Sequence, residues 1–192
     1  MDRTTKTSPL DPVNATVFND SNIMLSSRAS NSHSSEAGAV YVYTEHPTDG
    51  WQVAEILFPG NIKTWDNFGA GIALSGNILA VSNSPASDPI SVYIFEKGND
   101  GFWREQNKIN AHDAGGNESY GDVLSIDGDT VMIGAPLDDD NGENSGAVYF
   151  YTGLLSDLDL DGIKDAIDNC PAQYNPGQEH EDGDAYGDVC EP

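Results

Sequence analysis

The chain repeats itself with an offset of 52 residues, and this internal repeat limits the folds open to it. At that offset Phe68-Gly69 falls on Tyr120-Gly121, and Leu79-Ala80-Val81 falls on Val131-Met132-Ile133. An internal repeat of this length is typical of stacked structural units that bury their apolar faces against one another. The sequence therefore predicts three successive β units, at about residues 12–67, 68–119 and 120–155.

Each predicted unit contains a stretch in which β-branched and aromatic residues alternate with small ones, at residues 38–43, 90–95 and 146–151. Alternation of this kind favours strands, and helical periodicity is absent. The paired aromatic side chains could form a sugar-binding platform, but packing between sheets is the commoner role of such residues. Each unit reads as four strands joined by tight turns. We therefore predict an all-β fold, a partial β-propeller of about three four-stranded blades over residues 12–155.

Short motifs in two of these units add a family resemblance. Phe68-Gly69, Tyr120-Gly121 and Gly134-Ala135-Pro136 resemble the FG-GAP repeats of integrin-type β-propellers and of bacterial surface proteins. The third unit is the best match, whereas residues 82–85 replace the Gly-Ala-Pro motif in the second unit and the first unit lacks both motifs. The calcium loop that this family places within its blades has no counterpart here. The resemblance therefore implies the propeller but no calcium site in its blades.

An acidic loop at Asp138-Asp139-Asp140-Asn141-Gly142-Glu143-Asn144 follows the Gly-Ala-Pro motif. Carboxylate and amide oxygens at this density could bind a metal ion. Asp and Asn also favour tight turns, so a solvated hairpin explains the same residues equally well. Both interpretations stay open from the sequence.

Three blades are too few to close a ring, since closed propellers have about four to eight. We therefore expect the chain to be a fragment of a longer exported protein. The free side of the first unit should then expose apolar surface that would meet a neighbouring blade in the full protein. We expect the isolated chain to associate.

The C-terminal segment, residues 156–192, is an acidic ladder whose spacing is that of a calcium loop. Counting from Asp157 as position 1, side-chain oxygens fall at positions 1, 3, 5, 9 and 12, with Gly162 at position 6. Without a cation, each contacting pair of carboxylates would repel by about 1 kcal/mol even in water-like dielectric. The predicted calcium ligands of this loop are Asp157, Asp159, Asp161, Asp165, Asp168 and the backbone carbonyl of Ile163.

The same spacing recurs from His180, which predicts a second and weaker calcium loop. His180 stands where the first carboxylate is expected, and Ala185 replaces the glycine of the turn. The predicted ligands of this loop are Asp182, Asp184, the carbonyl of Tyr186, Asp188 and Glu191.

The residues between the two loops indicate which kind of calcium module this is. Asn169-Cys170-Pro171 follows the first loop at once, and the proline prevents the flanking helix that an EF-hand or a dockerin needs. Together with Asn175, Gln178 and the final Gly187-Asp188-Val189-Cys190, the segment resembles a thrombospondin type-3 repeat. That resemblance implies an irregular arm ordered by calcium and a disulfide between Cys170 and Cys190. Spacing alone leaves two reduced thiols as the alternative.

Charge and motif content exclude several classes of function. The chain has 8 basic and 32 acidic residues, a net charge of −24, so nucleic acid is excluded as a partner. No apolar stretch is long enough to span a membrane, and no signal-peptide core is present. The four histidines lack metal-ligand spacing, and no H-E-x-x-H or G-x-S-x-G motif occurs. We therefore expect no enzymatic activity.

The sequence as a whole predicts an extracellular or cell-surface calcium-binding module with a structural or adhesion role. Its expected cofactor is Ca²⁺, and a cell-surface or matrix protein or a glycan is the expected partner. One alternative is a propeller that binds a glycan or protein while the arm acts as a linker. Another is an accessory piece of a secreted hydrolase, which rests on analogy of fold alone.

Overall fold

A computed structural model of the protein describes residues 13–19, 21–85, 90–110, 119–140, 142–155, 163–164, 168–179 and 187–190. Within these ranges the regular secondary structure is β-strand, without a helix. The strands are β1 Ala15–Phe18, β2 Ile23–Ser27, β3 Ala39–His46, β4 Gly50–Leu57, β5 Ile72–Ser75, β6 Ile78–Ser82, β7 Ser91–Lys97, β8 Trp103–Asn110, β9 Val123–Asp127, β10 Thr130–Ala135 and β11 Ala147–Tyr151.

The strands form three antiparallel sheets in chain order, β1-β2-β3-β4, β5-β6-β7-β8 and β9-β10-β11. The predicted all-β fold is confirmed, and the first two sheets have the predicted four strands. The third sheet has three within the described residues. After β11 the chain bends back: Leu154 is buried between the second and third sheets, and its carbonyl accepts a hydrogen bond from Asn107 Nδ2 at 2.7 Å. The unit boundaries drawn from the sequence stay a prediction.

The sheets pack face to face through two apolar layers. The first layer joins sheets one and two and includes Met24, Val42, Leu79 and Phe95, and the second joins sheets two and three and includes Ile94 and Ile133. The aromatic pair of each later sheet faces the sheet before it: Tyr93 and Phe95 face the first sheet, and Tyr149 and Tyr151 face the second. The predicted packing between sheets is confirmed for these two pairs, whereas Tyr41 and Tyr43 of the first sheet form a separate cluster with Ile23, Leu25 and Trp51.

The repeat extends to the register of the strands. The pairing of β3 with β4 shifts by one residue between Val42 and Tyr43, and the pairing of β7 with β8 shifts between Ile94 and Phe95. These positions are 52 residues apart, the offset of the repeat. A one-residue irregularity increases the local twist, so the outer hairpins of the first two sheets bend at the same place.

Aromatic–glycine turns dock each later sheet onto the one before it. Each turn is held to its own sheet by a hydrogen bond, from the Gly69 amide to the Ser82 carbonyl at 2.8 Å and from the Gly121 amide to the Gly134 carbonyl at 2.9 Å. A β-carbon at Gly69 would lie 2.9 Å from Ser26 Cβ, and one at Gly121 would lie 2.8 Å from Ser82 Cβ. Both glycines have positive φ, so close approach and backbone conformation each require them.

Candidate metal centre

The predicted calcium arm is described in part. Of its eleven predicted calcium ligands, Ile163, Asp168 and Asp188 are among the described residues. The remaining predicted ligands lie outside them, namely Asp157, Asp159, Asp161, Asp165, Asp182, Asp184, Tyr186 and Glu191. His180 also lies outside the described residues.

Asp168, the last predicted ligand of the first loop, is a buried carboxylate with 8% of its surface exposed. Its Oδ1 atom accepts a hydrogen bond from the Cys170 amide at 2.8 Å and another from Gln178 Nε2 at 2.8 Å. Hydrogen bonds from one backbone and one side-chain donor fix the direction of the carboxylate. The residues that follow Asp168 therefore fix the orientation of the last predicted ligand of the calcium loop.

The amide side chains after Asp168 form a compact polar network. Asn169 donates its backbone amide to Gln178 Oε1 at 2.8 Å and its side-chain amide to the Gln178 carbonyl at 3.2 Å. Asn175, which is buried, donates to Asn169 Oδ1 at 2.6 Å. Buried amides with several partners can replace an apolar core in so short a segment. Sequence reasoning used Asn169, Asn175 and Gln178 only as family markers and missed this role.

A disulfide between Cys170 and Cys190 closes the arm, as the type-3 resemblance implied. Cys170 is almost fully buried, and the segment that carries Cys190 lies close to it. The Gly187 amide donates to the Asn169 carbonyl at 3.1 Å. A β-carbon at Gly187 would lie 2.6 Å from Asn169 Oδ1 and 2.7 Å from Cys170 Sγ, so only glycine fits between the network and the disulfide.

The other two described ligand positions differ from Asp168 in exposure. Ile163 is half-buried, and Asp188 is exposed while its backbone amide donates to the Glu179 carbonyl at 3.0 Å. No three His, Cys, Asp or Glu side chains come together as a metal-binding group within the described ranges. Because most predicted ligands lie outside those ranges, both calcium loops stay predictions.

The acidic loop of the third sheet forms a hydrogen-bonded turn. Asp138 is buried, and its carboxylate accepts hydrogen bonds from the Asp140 amide at 3.2 Å and from the Tyr149 hydroxyl at 3.1 Å. Asp139 Oδ1 accepts one from the Asn144 amide at 2.6 Å. These carboxylates act as the turn interpretation expects, since Asp commonly bonds backbone amides a few residues on. Metal binding at this loop is not needed to explain its shape.

Comparison with known families addresses the sheets and not the arm. Residues 103–151, from β8 to the end of β11, match the FG-GAP repeat family. FG-GAP repeats occur in extracellular adhesion-type proteins, and together with a disulfide they are typical of extracellular proteins. A search of curated proteins found no match to the chain. None of the described residues forms a helix long and apolar enough to cross a membrane.

The family match supports a propeller-like arrangement of the sheets, and it covers the unit whose motifs resemble the family most. It contains Tyr120-Gly121 and Gly134-Ala135-Pro136, two of the three motifs that suggested the family from the sequence. The match ends before the acidic arm begins. The resemblance of residues 157–190 to a thrombospondin type-3 repeat therefore stays a prediction.

Proposed function

We propose that this protein is a non-enzymatic, extracellular calcium-binding module, in which a partial propeller carries an arm that calcium orders. The observation that supports the proposal most is the position of Asp168. This carboxylate is buried beside the segment that the disulfide closes, and two hydrogen bonds fix its orientation. It directly follows a loop that carries four further aspartates, Asp157, Asp159, Asp161 and Asp165.

The donor set fits calcium better than other common metals. The predicted ligands are carboxylates and one backbone carbonyl, and hard oxygen donors of this kind favour Ca²⁺, whereas the soft thiolate ligands preferred by zinc are absent because both cysteines are in the disulfide. Asp168 would hold the ion from the arm side, and the loop aspartates would complete the shell. A bound Ca²⁺ would neutralise the repulsion among these carboxylates and order the loop.

The proposed role is structural or adhesive, with calcium controlling how the arm is presented. The arm's described core consists of amide side chains and the disulfide rather than apolar residues. Its order in the calcium loops would then depend on the ion. The proposed partner of such an extracellular module is a cell-surface or matrix protein or a glycan.

Calcium titration by calorimetry tests this proposal. We expect saturable binding with a dissociation constant of about 10⁻⁴ to 10⁻³ M, the range of extracellular modules. The double variant Asp159→Ala, Asp161→Ala should lose the binding. The matched control is Asp122→Ala, Asp129→Ala, which removes two exposed aspartates from the third unit and should bind calcium like the wild type. No heat of binding at millimolar calcium would contradict the proposal.

A second variant separates calcium binding from the integrity of the arm. Asp168→Asn keeps an oxygen that can accept from the Cys170 amide and from Gln178, but it removes the charge. We expect this variant to keep the amide exchange pattern of residues 169–178 without calcium while its calcium affinity falls about tenfold or more. Unchanged affinity would show that Asp168 is not a ligand.

A further inference from the structure

The third sheet exposes a face that is covered in both other sheets. Val148 pairs with Gly134 as Val40 pairs with Ser26 and Val92 pairs with Ser82, so these three valines occupy equivalent positions. Val40 and Val92 are fully buried, whereas Val148 is 57% exposed. The same holds two residues further on, at the next position of this face, since Val42 and Ile94 are buried and Phe150 is 64% exposed.

A hollow marks the place where a docking turn is missing from this face. It has a volume of about 540 Å³ and is lined by Val123, Gly134, Pro136, Gly146 and Val148. Gly134 lies at the position of Ser26 and Ser82, the residues that contact the glycine turns of the following sheets. The exposed face and its hollow therefore match a contact that the molecule already forms twice.

The first sheet carries the residue that fits this hollow. The register of the strands identifies the equivalent position: Ala15 pairs with Ser26 as Val123 pairs with Gly134, and Val13 and Gly121 each lie two residues earlier. Val13 therefore stands where Gly69 and Gly121 stand in the docking turns. In the two internal contacts a serine on the sheet meets a glycine on the turn. On the third sheet the glycine is on the sheet, so a turn residue with a side chain can be accommodated.

We infer that the third sheet docks the first sheet of a second copy of this chain, head to tail, with Val13 of one copy in the hollow at Gly134 of the other. Val13 is 47% exposed and available for this contact. The outward face of the first sheet also exposes Phe18, Val53 and Ile56, which share register rows with the buried Tyr41 and Tyr43. These side chains would meet Phe150 and Val148 of the other copy.

Head-to-tail contact between two copies would cover the open face of the third sheet and the outward face of the first sheet in each copy. The three sheets of the described residues would give six in a dimer, within the range of about four to eight that closed propellers have. The contact is heterologous, but a two-fold axis repeats it once in each direction, which limits the assembly to two copies. This inference does not depend on calcium binding by the arm.

The net charge of the chain predicts how salt affects the affinity of this dimer. Each copy carries a net charge of −24, so two copies repel at low ionic strength. Salt screens that repulsion, with a Debye length of about 8 Å at physiological ionic strength, while the apolar contact does not weaken. The dimer should therefore become tighter as sodium chloride is added, which is opposite to the behaviour of an interface held by ion pairs.

Sedimentation equilibrium of the full chain over a range of concentrations tests the inference. We expect a species of twice the 20.5 kDa chain mass. Phe150→Asp and Val13→Asp each alter an exposed side chain, so neither should disturb folding. Each should raise the dimer dissociation constant at least about tenfold, because it places a charge at the centre of an apolar contact. Phe102→Asp changes an equally exposed aromatic residue in the turn before β8 and should leave the constant unchanged.

Mixing the two variants distinguishes head-to-tail docking from other contacts. A Val13→Asp copy retains an intact third sheet and a Phe150→Asp copy retains an intact first sheet, so a mixed dimer has one of its two contacts intact. The mixture should therefore form a heterodimer more tightly than either variant forms a homodimer. If Val13→Asp dimerises like the wild type while Phe150→Asp does not, two third sheets face each other and the inference is wrong. A wild-type chain that stays monomeric at every concentration, or whose mass rises beyond two copies, also overturns it.

Discussion

The Ser82 hydroxyl donates a hydrogen bond to the Gly121 carbonyl at 2.8 Å and accepts one from the Gly71 amide at 2.8 Å. Ser82 is fully buried, and these two bonds tie the second sheet to the turn that leads into the third. Together with the bonds from Asn107 to the Leu154 carbonyl and from the Gly128 amide to Ser75 Oγ, Ser82 supplies polar contacts between two repeats that otherwise pack through apolar residues.

We predict that Ser82→Ala destabilises the protein by about 1–3 kcal/mol, because it leaves a buried amide and a buried carbonyl without this partner. Denaturant unfolding followed by circular dichroism measures the change. Ser21→Ala, at an exposed serine, serves as the control and should fall within about 0.5 kcal/mol of the wild type. Equal stability of the two variants would mean that the Ser82 bonds are replaced by water.

Gly71→Ala should also destabilise the protein, for a steric reason. A β-carbon at Gly71 would lie 2.6 Å from the Gly121 carbonyl oxygen, which belongs to the backbone and cannot turn away. We expect a loss of about 1–3 kcal/mol, as for overpacking of a core. Gly60→Ala provides the matched control, since nothing lies within 4 Å of its added carbon. If both alanine variants unfold at the same denaturant concentration, the two sheets can separate at this point without loss.

Opening the disulfide should loosen the arm without unfolding the sheets. Cys170 and Cys190 are 20 residues apart, and a loop of that length is stabilised by about 3 kcal/mol in the chain-entropy model. We expect Cys170→Ser, Cys190→Ser to speed amide exchange across residues 169–178 and to leave that of Ile94 unchanged. Adding a reductant to this variant should have no further effect. Faster exchange throughout the sheets would show that the arm and the propeller unfold as one unit.

The carboxyl group of Asp100 should titrate at an unusually low pH. Its hydrogen bond from the Arg104 guanidinium, 2.9 Å from Nη1 to Oδ1, lowers the pKa from 3.8 to about 2. Because the pKa is lower in the folded state, the ionised Asp100 carboxylate stabilises the fold at pH values above about 3.8. This stabilisation is lost as the pH falls from about 3.8 through about 2. Titration of the carboxyl carbon by NMR measures it. Arg104→Gln should return the midpoint towards 3.8, whereas Arg28→Gln should not move it.

Much of the sheet architecture could be predicted from the sequence because the repeat and the strand alternation are local signals. The 52-residue offset placed Gly69 and Gly121 in equivalent turns, and the structure confirms that both pack closely against the preceding sheet. The position of Val13 escaped prediction because the first unit lacks the Phe-Gly signature, so only the strand register identifies it. The apolar surface predicted on the first unit is present at Phe18, Val53 and Ile56, and the third sheet exposes a second one at Val148 and Phe150.

For the arm, the sequence predicted the ligand spacing and the disulfide but not the polar core. Its ligand spacing and its cysteine pairing were visible in the sequence, and the disulfide is confirmed. The polar core formed by Asn169, Asn175 and Gln178 could not be predicted, because an amide side chain at the surface and one in a buried network look the same in a sequence. Only three-dimensional proximity shows that these residues hold Asp168 in place.

The order of the sheets also determines how the molecule would respond to a pulling force. Each aromatic–glycine turn packs against the sheet before it, so the contacts at Ser26 and Ser82 would carry tension one after the other rather than together. Rupture would then begin at the weaker contact, and each opened contact would release the length of one unit. Under force such a chain would extend in steps. Its second sheet, which packs against a neighbour on both faces, would unfold last.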